Sequence, residues 1–115
     1  MDRQLRKRLE ARFADKVTGP VRQRHDETEL RIGAADLTEV MTALHDEPEL
    51  DFAVLADLAG VDTGNQMQVV YHLWSATTPD WLRVIADGLP RDNPRIATLT
   101  GLWPGAEWME RETYD

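Results

Sequence analysis

The stretch MQVVYHLWSA, residues 67–76, constrains the fold more than any other part of the chain. Met67, Val69, Tyr71 and Leu73 alternate with Gln68, Val70, His72 and Trp74, the period-two pattern of a strand. The first set is apolar throughout. The second carries Val70 and Trp74 and is too apolar for plain solvent exposure, so another element or a partner is needed to cover it. The molecule is therefore organised around a sheet. WLRVIADGL follows after TTPD, with Leu82, Val84 and Ala86 alternating with Arg83, Ile85 and Asp87, and the two segments are expected to form a hairpin. Upstream, TELRIGA sets Leu30 and Ile32 against Glu29 and Arg31, as in a half-buried strand, and Val21–Arg24 also reads as extended. LDFAVLADLAGVDTG is ambiguous: a short helical turn near Phe52, becoming a strand through Leu58–Val61, with Gly64-Asn65 as a turn.

Around these strands lie helical signals. DRQLRKRLEARFAD places Leu5, Leu9 and Phe13 at i, i+4 and i+8, a narrow apolar stripe on a charged helix that Gly19-Pro20 ends. AADLTEVMTALHDEPEL is the clearest helix. Asp36 is its expected N-cap with Glu39 in the capping-box position, Leu37, Val40, Met41 and Leu44 form the buried stripe, and Pro48 stops it. PRDNPR is loop and IATLT a short extended piece leading to a final helix over 104–115, with Pro104 in its first turn. Strands cluster rather than alternate with helices, which predicts an α+β fold: two layers, a mixed or mainly antiparallel sheet with helices packed on it. The 115 residues predict one domain, with a basic helix over 2–15, a body over 20–103 and the closing helix.

Composition excludes whole classes of chemistry. There is no cysteine, so disulfides, thiolate metal sites, iron–sulfur ligation and cysteine nucleophiles are all absent from this chain. No apolar run approaches the roughly 18 residues of a membrane span, and direct membrane insertion is not expected. The net charge of −8 is uneven: residues 1–25 hold eight Lys/Arg against three Asp/Glu, a net of +5, leaving −13 on the rest. A basic head on an acidic body could bind nucleic acid. The preferred reading is a helix face that complements its own acidic domain, because that body repels phosphates.

In the final WPGAEWMERETYD, Glu110 and Glu112 would be the acid/base pair of a carboxylate-based hydrolase. On a helix they lie about 200° apart and do not converge. Glu107–Arg111 and Arg111–Asp115 do meet at i, i+4, so the segment reads as salt bridges stitched around a buried Trp108. His25, His45 and His72 lack metal-ligand spacing, and no phosphate-binding or serine-hydrolase loop is present. Of four tryptophans, Trp74 and Trp103 divide evenly between core and interface roles, while Trp108 is assigned to the core.

Three segments together resemble a family. LADLAGVDTGNQMQVVYHLWS, WLRVIADGL and LWPGAEWMERETYD are similar to the thirty-kilodalton (C) subunit of the proton-pumping NADH:quinone oxidoreductase, respiratory complex I, with its "dLtgvD", "vvYhL.S" and closing "W.EREvyDmfGi" motifs. The matches are Leu58 through Asp62; Val70, Tyr71, His72, Leu73 and Ser75; and Trp108, Glu110, Arg111, Glu112, Tyr114 and Asp115. The chain departs from the family at Ala97–Thr100, where "PSvT" is common, and at Ala106-Glu107, where "An" precedes the tryptophan. The family continues past the aspartate, so the resemblance implies one domain of a longer protein. It further implies a non-catalytic assembly subunit of the hydrophilic arm, peripheral on the cytoplasmic side of the bacterial inner membrane, that supports electron transfer from NADH to quinone. Its partners would be the D subunit, which helps to form the quinone cavity, and other subunits of the arm. Flavin, iron–sulfur clusters and quinone would be carried by those partners, and no nucleic acid would be bound. The closing motif residues would be structural or interfacial, with His72, Trp74 and Trp103 as further interface candidates. Equivalent subunits of membrane-bound hydrogenases, formate hydrogenlyases and other quinone-linked dehydrogenases fit the same motif.

Overall fold

A computed structural model describes residues 3–24, 27–92 and 95–114, with backbone only at Arg3, Arg24 and Tyr114; the candidates His25 and Asp115 lie outside the described residues. The elements in order are α1 (Arg3–Arg12), β1 (Arg22–Arg24), β2 (Glu27–Gly33), a 3-10 turn (Ala34–Asp36), α2 (Leu37–Asp46), β3 (Val54–Asp62), β4 (Met67–Ser75), β5 (Asp80–Leu89) and α3 (Ala106–Tyr114). The strands form one five-stranded sheet in the order β1-β2-β5-β4-β3. β2 and β5 run parallel, and the other neighbours are antiparallel. This is the mixed-sheet α+β architecture that the sequence pattern predicts.

The core lies between one face of the sheet and the helices. Leu5, Leu9 and Phe13 of the α1 stripe and Leu37, Val40, Met41 and Leu44 of α2 meet Leu30, Ile32, Tyr71, Leu73, Leu82 and Val84, all buried. Each such side chain contributes about 1.5–3 kcal/mol by leaving water. The β4–β5 hairpin pairs Tyr71 with Val84 and Leu73 with Leu82. Behind its turn, the Ser75 hydroxyl donates to the Leu50 carbonyl at 2.6 Å, tying the hairpin to the α2–β3 connection.

The ambiguous segment resolves into a longer strand than the Leu58–Val61 expected. Phe52 is buried in a turn, its N–H bonded to the Leu44 carbonyl at 2.9 Å, and β3 begins at Val54. Its pairing with β4 shifts register between Leu55 and Asp57, a bulge. The extra residue lets Leu55 and Leu58 both face the core, although residues three apart in a regular strand face opposite ways. That helix-like spacing is what hides the strand.

The capping box at α2 does not form. Asp36 has φ −96° and ψ 4°, not the extended backbone an N-cap needs, and its side chain makes no cap hydrogen bond. The preceding 3-10 turn already supplies the Leu37 N–H with the Ala34 carbonyl. Asp36 and Glu39 face Lys16 instead, at 3.9 and 2.8 Å.

The sheet's second face is roofed by long polar side chains. Val70 and Ile85 pair across β4 and β5 and are buried outside the main core. Asp87 gathers the roof: it accepts hydrogen bonds from Thr18 (3.3 Å), Arg31 (3.1 Å), Gln66 (3.2 Å) and Gln68.

Candidate functional site

The last helix is laid down by a tight approach. Trp103 N–H returns to the Leu99 carbonyl at 2.9 Å, and Ala106 N–H to that of Trp103 at 2.9 Å, so the chain reverses at Pro104-Gly105 and regular helix starts at Ala106 rather than Pro104. α3 then turns Ala106, Met109, Glu110 and Thr113 inward, an i, i+3, i+4, i+7 stripe. Thr113 closes on β3, where Gly60 leaves room for it.

Glu110 is the pivot of that stripe. It is buried, and its carboxylate accepts the Thr98 hydroxyl at 2.6 Å and the Leu99 N–H at 2.9 Å. A carboxylate with two donors in place is tolerated in a buried site because the hydrogen bonds replace its water. Glu112 is exposed on the other side. The two acids therefore do not converge, and the hydrolase reading has no site.

Placing Glu110 inward rotates Trp108 outward. Trp108 is 64% exposed, which overturns its assignment to the core. The stripe that α3 buries contains Ala, Glu and Thr, so apolarity alone picks the wrong face. Trp108 shares its surface with the Glu107–Arg111 pair, at 3.0 Å as the i, i+4 spacing predicts, and a shallow depression of about 270 Å³ lies among Pro104, Glu107, Trp108 and Arg111. The Arg111–Asp115 pair and the Tyr114 side chain lie outside the described residues. An exposed tryptophan flanked by an arginine is the composition of an interface hot spot.

The other candidates separate. Trp103 is buried, donates from Nε1 to the Phe52 carbonyl at 3.2 Å and packs edge-on against His45 at 5.3 Å. It is an internal anchor, which removes it from the interface set. Trp74 is half-buried against Trp81, with ring centroids 5.0 Å apart, and Trp81 is 41% exposed. His72 lies on the same face, with Nε2 3.9 Å from Glu27. Sequence reasoning passes over Trp81, Asp87 and Thr98 as candidates; only the alternation of β5 hints at the first two.

Three residues of the basic head, Arg8, Arg12 and Lys16, are used internally. Arg12 meets Glu47 at 2.7 Å and Arg8 donates to the Glu49 carbonyl at 3.2 Å. Hydrogen bonding and charge from Glu47 push the Arg12 pKa up, and Glu39 does the same for Lys16. This favours the self-complementing reading of the charge split. A cavity of about 420 Å³ lies between α3 and the end of the sheet, lined by Met67, Val69, Leu89, Ile96 and Thr113 with Gln68 and Arg95, and no acid or histidine is among the described residues of its wall. Among the described residues no three His, Asp or Glu converge as a metal site would require, and no helix is long and apolar enough to cross a membrane.

Comparison with known proteins sets this geometry in context. The sequence profile of the family described as respiratory-chain NADH dehydrogenase, 30 Kd subunit, matches residues 30–115. A relative from Roseiflexus sp. (strain RS-1), named as the C subunit of NADH-quinone oxidoreductase, is 39% identical over 111 residues, covering 94% of this chain and 63% of its own length. Proteins of the same name from Mycolicibacterium gilvum (strain PYR-GCK) and Dechloromonas aromatica (strain RCB) are 38% and 34% identical, covering 78% and 96% of this chain but 41% and 59% of their own. The chain thus spans between 41% and 63% of the length of these relatives. A chain in the structure of the membrane-bound sulfane sulfur reductase, an archaeal respiratory membrane complex, superposes with a TM-score of 0.75 over 95% of this chain and 63% of that one, at 23% identity, which shows a shared fold.

Proposed function

The chain belongs to the family of 30-kDa subunits of respiratory-chain NADH dehydrogenases, and from that premise we propose that it is a non-catalytic assembly domain of an NADH:quinone oxidoreductase. In this reading it sits in the hydrophilic arm on the cytoplasmic side of the membrane. It docks on the D subunit and its neighbours through the outward face of α3. Flavin, iron–sulfur clusters and quinone belong to the partners; a chain without cysteine has no thiolate to offer a cluster.

The observation that carries the proposal is Trp108. A large apolar ring held 64% exposed adds little to the chain's own core and is available to a partner. Glu110 fixes the rotation of the helix, and Arg111, paired with Glu107, lines the same shallow depression as the ring. Burying a tryptophan of about 150–250 Å² under a partner is the kind of contact that dominates a docking energy.

The test is assembly in the full-length protein. Trp108→Ala should leave folding intact and sharply reduce co-purification with the D subunit, with NADH:quinone activity lost in proportion. A Trp108→Ala variant that assembles at the parent level would refute this assignment of the face.

A further inference from the structure

The two ends of the sheet are finished differently. β1 is three residues long, starts beside Pro20 and carries Arg22, devices that discourage further pairing. β3, at the opposite edge, is nine residues long. Its register with β4 is continuous from Asp57 to Asp62, and Asp57, Ala59, Gly60, Val61 and Asp62 are exposed. Half the N–H and C=O groups of an antiparallel edge strand point away from its neighbour, and among the described residues these make no backbone hydrogen bond beyond the β4 ladder. The four residues between Asp57 and Asp62 are Leu, Ala, Gly and Val; the bulge before Asp57 ends the pairing segment there, and the two aspartates at its ends oppose an acidic strand but not a basic one.

We propose that this edge is a strand-addition site: an extended, basic segment of a partner protein pairs with Asp57–Asp62 as a sixth strand. The inference rests on the reading of the chain as part of a larger assembly. Charge selects the occupant. β3 carries two aspartates and no basic residue; Asp62 is already matched by Arg91 at 2.8 Å, which leaves Asp57 as the exposed charge of the edge. Across the sheet Asp57 is followed by His72 and Arg83, and His72 lies 3.9 Å from Glu27, so the excess negative charge is that of the body as a whole, −13 over residues 26–115. A second copy of the chain, itself at −8, is repelled. A strand that sets a Lys or Arg opposite Asp57 and small or apolar side chains beside Ala59 and Val61 complements the edge in both charge and shape.

Two measurements decide it. The isotope-labelled chain is titrated with a capped synthetic peptide of alternating Val and Lys. The expected result is amide shifts centred on Asp57–Asp62 with slowed exchange of its outward amides, weakened about tenfold by Asp57→Lys. No shift in β3, or equal binding of a Val/Glu peptide, overturns the proposal. Hydrogen exchange of the full-length protein in its purified complex should then show β3 amides slower than in the free protein. If they exchange as in the free protein while Trp108 is covered, the edge proposal fails and the docking reading stands. If the protein does not enter the complex at all, the docking reading fails and the peptide titration alone decides the edge.

Discussion

Replacing Glu110 by alanine removes the carboxylate that joins α3 to the 98–100 segment. The Leu99 N–H, on a residue 1% exposed, then loses its acceptor. An abandoned buried donor costs about 1–3 kcal/mol, and the lost Thr98 hydroxyl bond adds about 1 kcal/mol, so the total is about 2–4 kcal/mol. The unfolding entropy near the midpoint, ~2.1 cal/mol/K per residue, gives about 4 °C per kcal/mol for a chain of 115 residues. Glu110→Ala should therefore melt about 8–16 °C below the parent by calorimetry or circular dichroism. Glu110→Gln retains a carbonyl for the Leu99 N–H and an amide that the Thr98 oxygen can accept from, so it should cost only about 1 kcal/mol. A cycle with Thr98→Val should show coupling, because the two side chains share one contact. A Glu110→Ala melting point within about 2 °C of the parent would refute the reasoning and return Glu110 to the set of functional acids.

Three further outcomes follow from the same geometry. Leu9→Ala should lower stability by about 2–5 kcal/mol in urea unfolding, since Leu9 is fully buried under the sheet, whereas a loss under 1 kcal/mol would mean that α1 is not part of the core. Trp103→Phe should cost about 2–3 kcal/mol, because the Phe52 carbonyl loses its indole donor and the smaller ring leaves a gap against His45; an unchanged urea midpoint would count against the anchor role. The Asp62 carboxyl is held below the usual carboxylate range by the Arg91 guanidinium first and the Gly64 N–H second, so the contact is present above the unfolded aspartate value of about 3.9 and is lost as pH falls through the lower folded value. Arg91→Gln should raise the Asp62 midpoint in an NMR titration, and a parent midpoint at the ordinary value would show that the contact is not populated in solution.

What can be read from the sequence is what one local rule governs. Alternation marks β4 and β5 as far as Ala86, before the register shift that puts Leu89 back in the core, and i, i+4 leucines mark α1. The readings fail where two requirements meet in one residue. The Leu55–Leu58 spacing combines a strand with a bulge and imitates a helix. Asp36 has capping chemistry but inherits its backbone from the 3-10 turn before it. At α3 the buried position belongs to a glutamate with two donors waiting in a distant loop, and no periodicity in the segment itself announces Thr98 and Leu99. The outward tryptophan follows from that inward acid.

The position of β5 governs when this molecule can exist. β5 lies between β2, to which it runs parallel, and β4. Until it emerges during synthesis, β1 and β2 have nothing to join them to the β3–β4 pair, and the leucines of α1 and α2 have only half a sheet to cover. Folding must therefore await a pairing such as Leu30 with Val84, far apart in the chain, and a search of that kind is slow. A nascent chain halted before residue 80 would present two unjoined half-sheets with open edges, a natural substrate for a holding chaperone, and the late strand sets the pace at which each new copy becomes ready to be assembled.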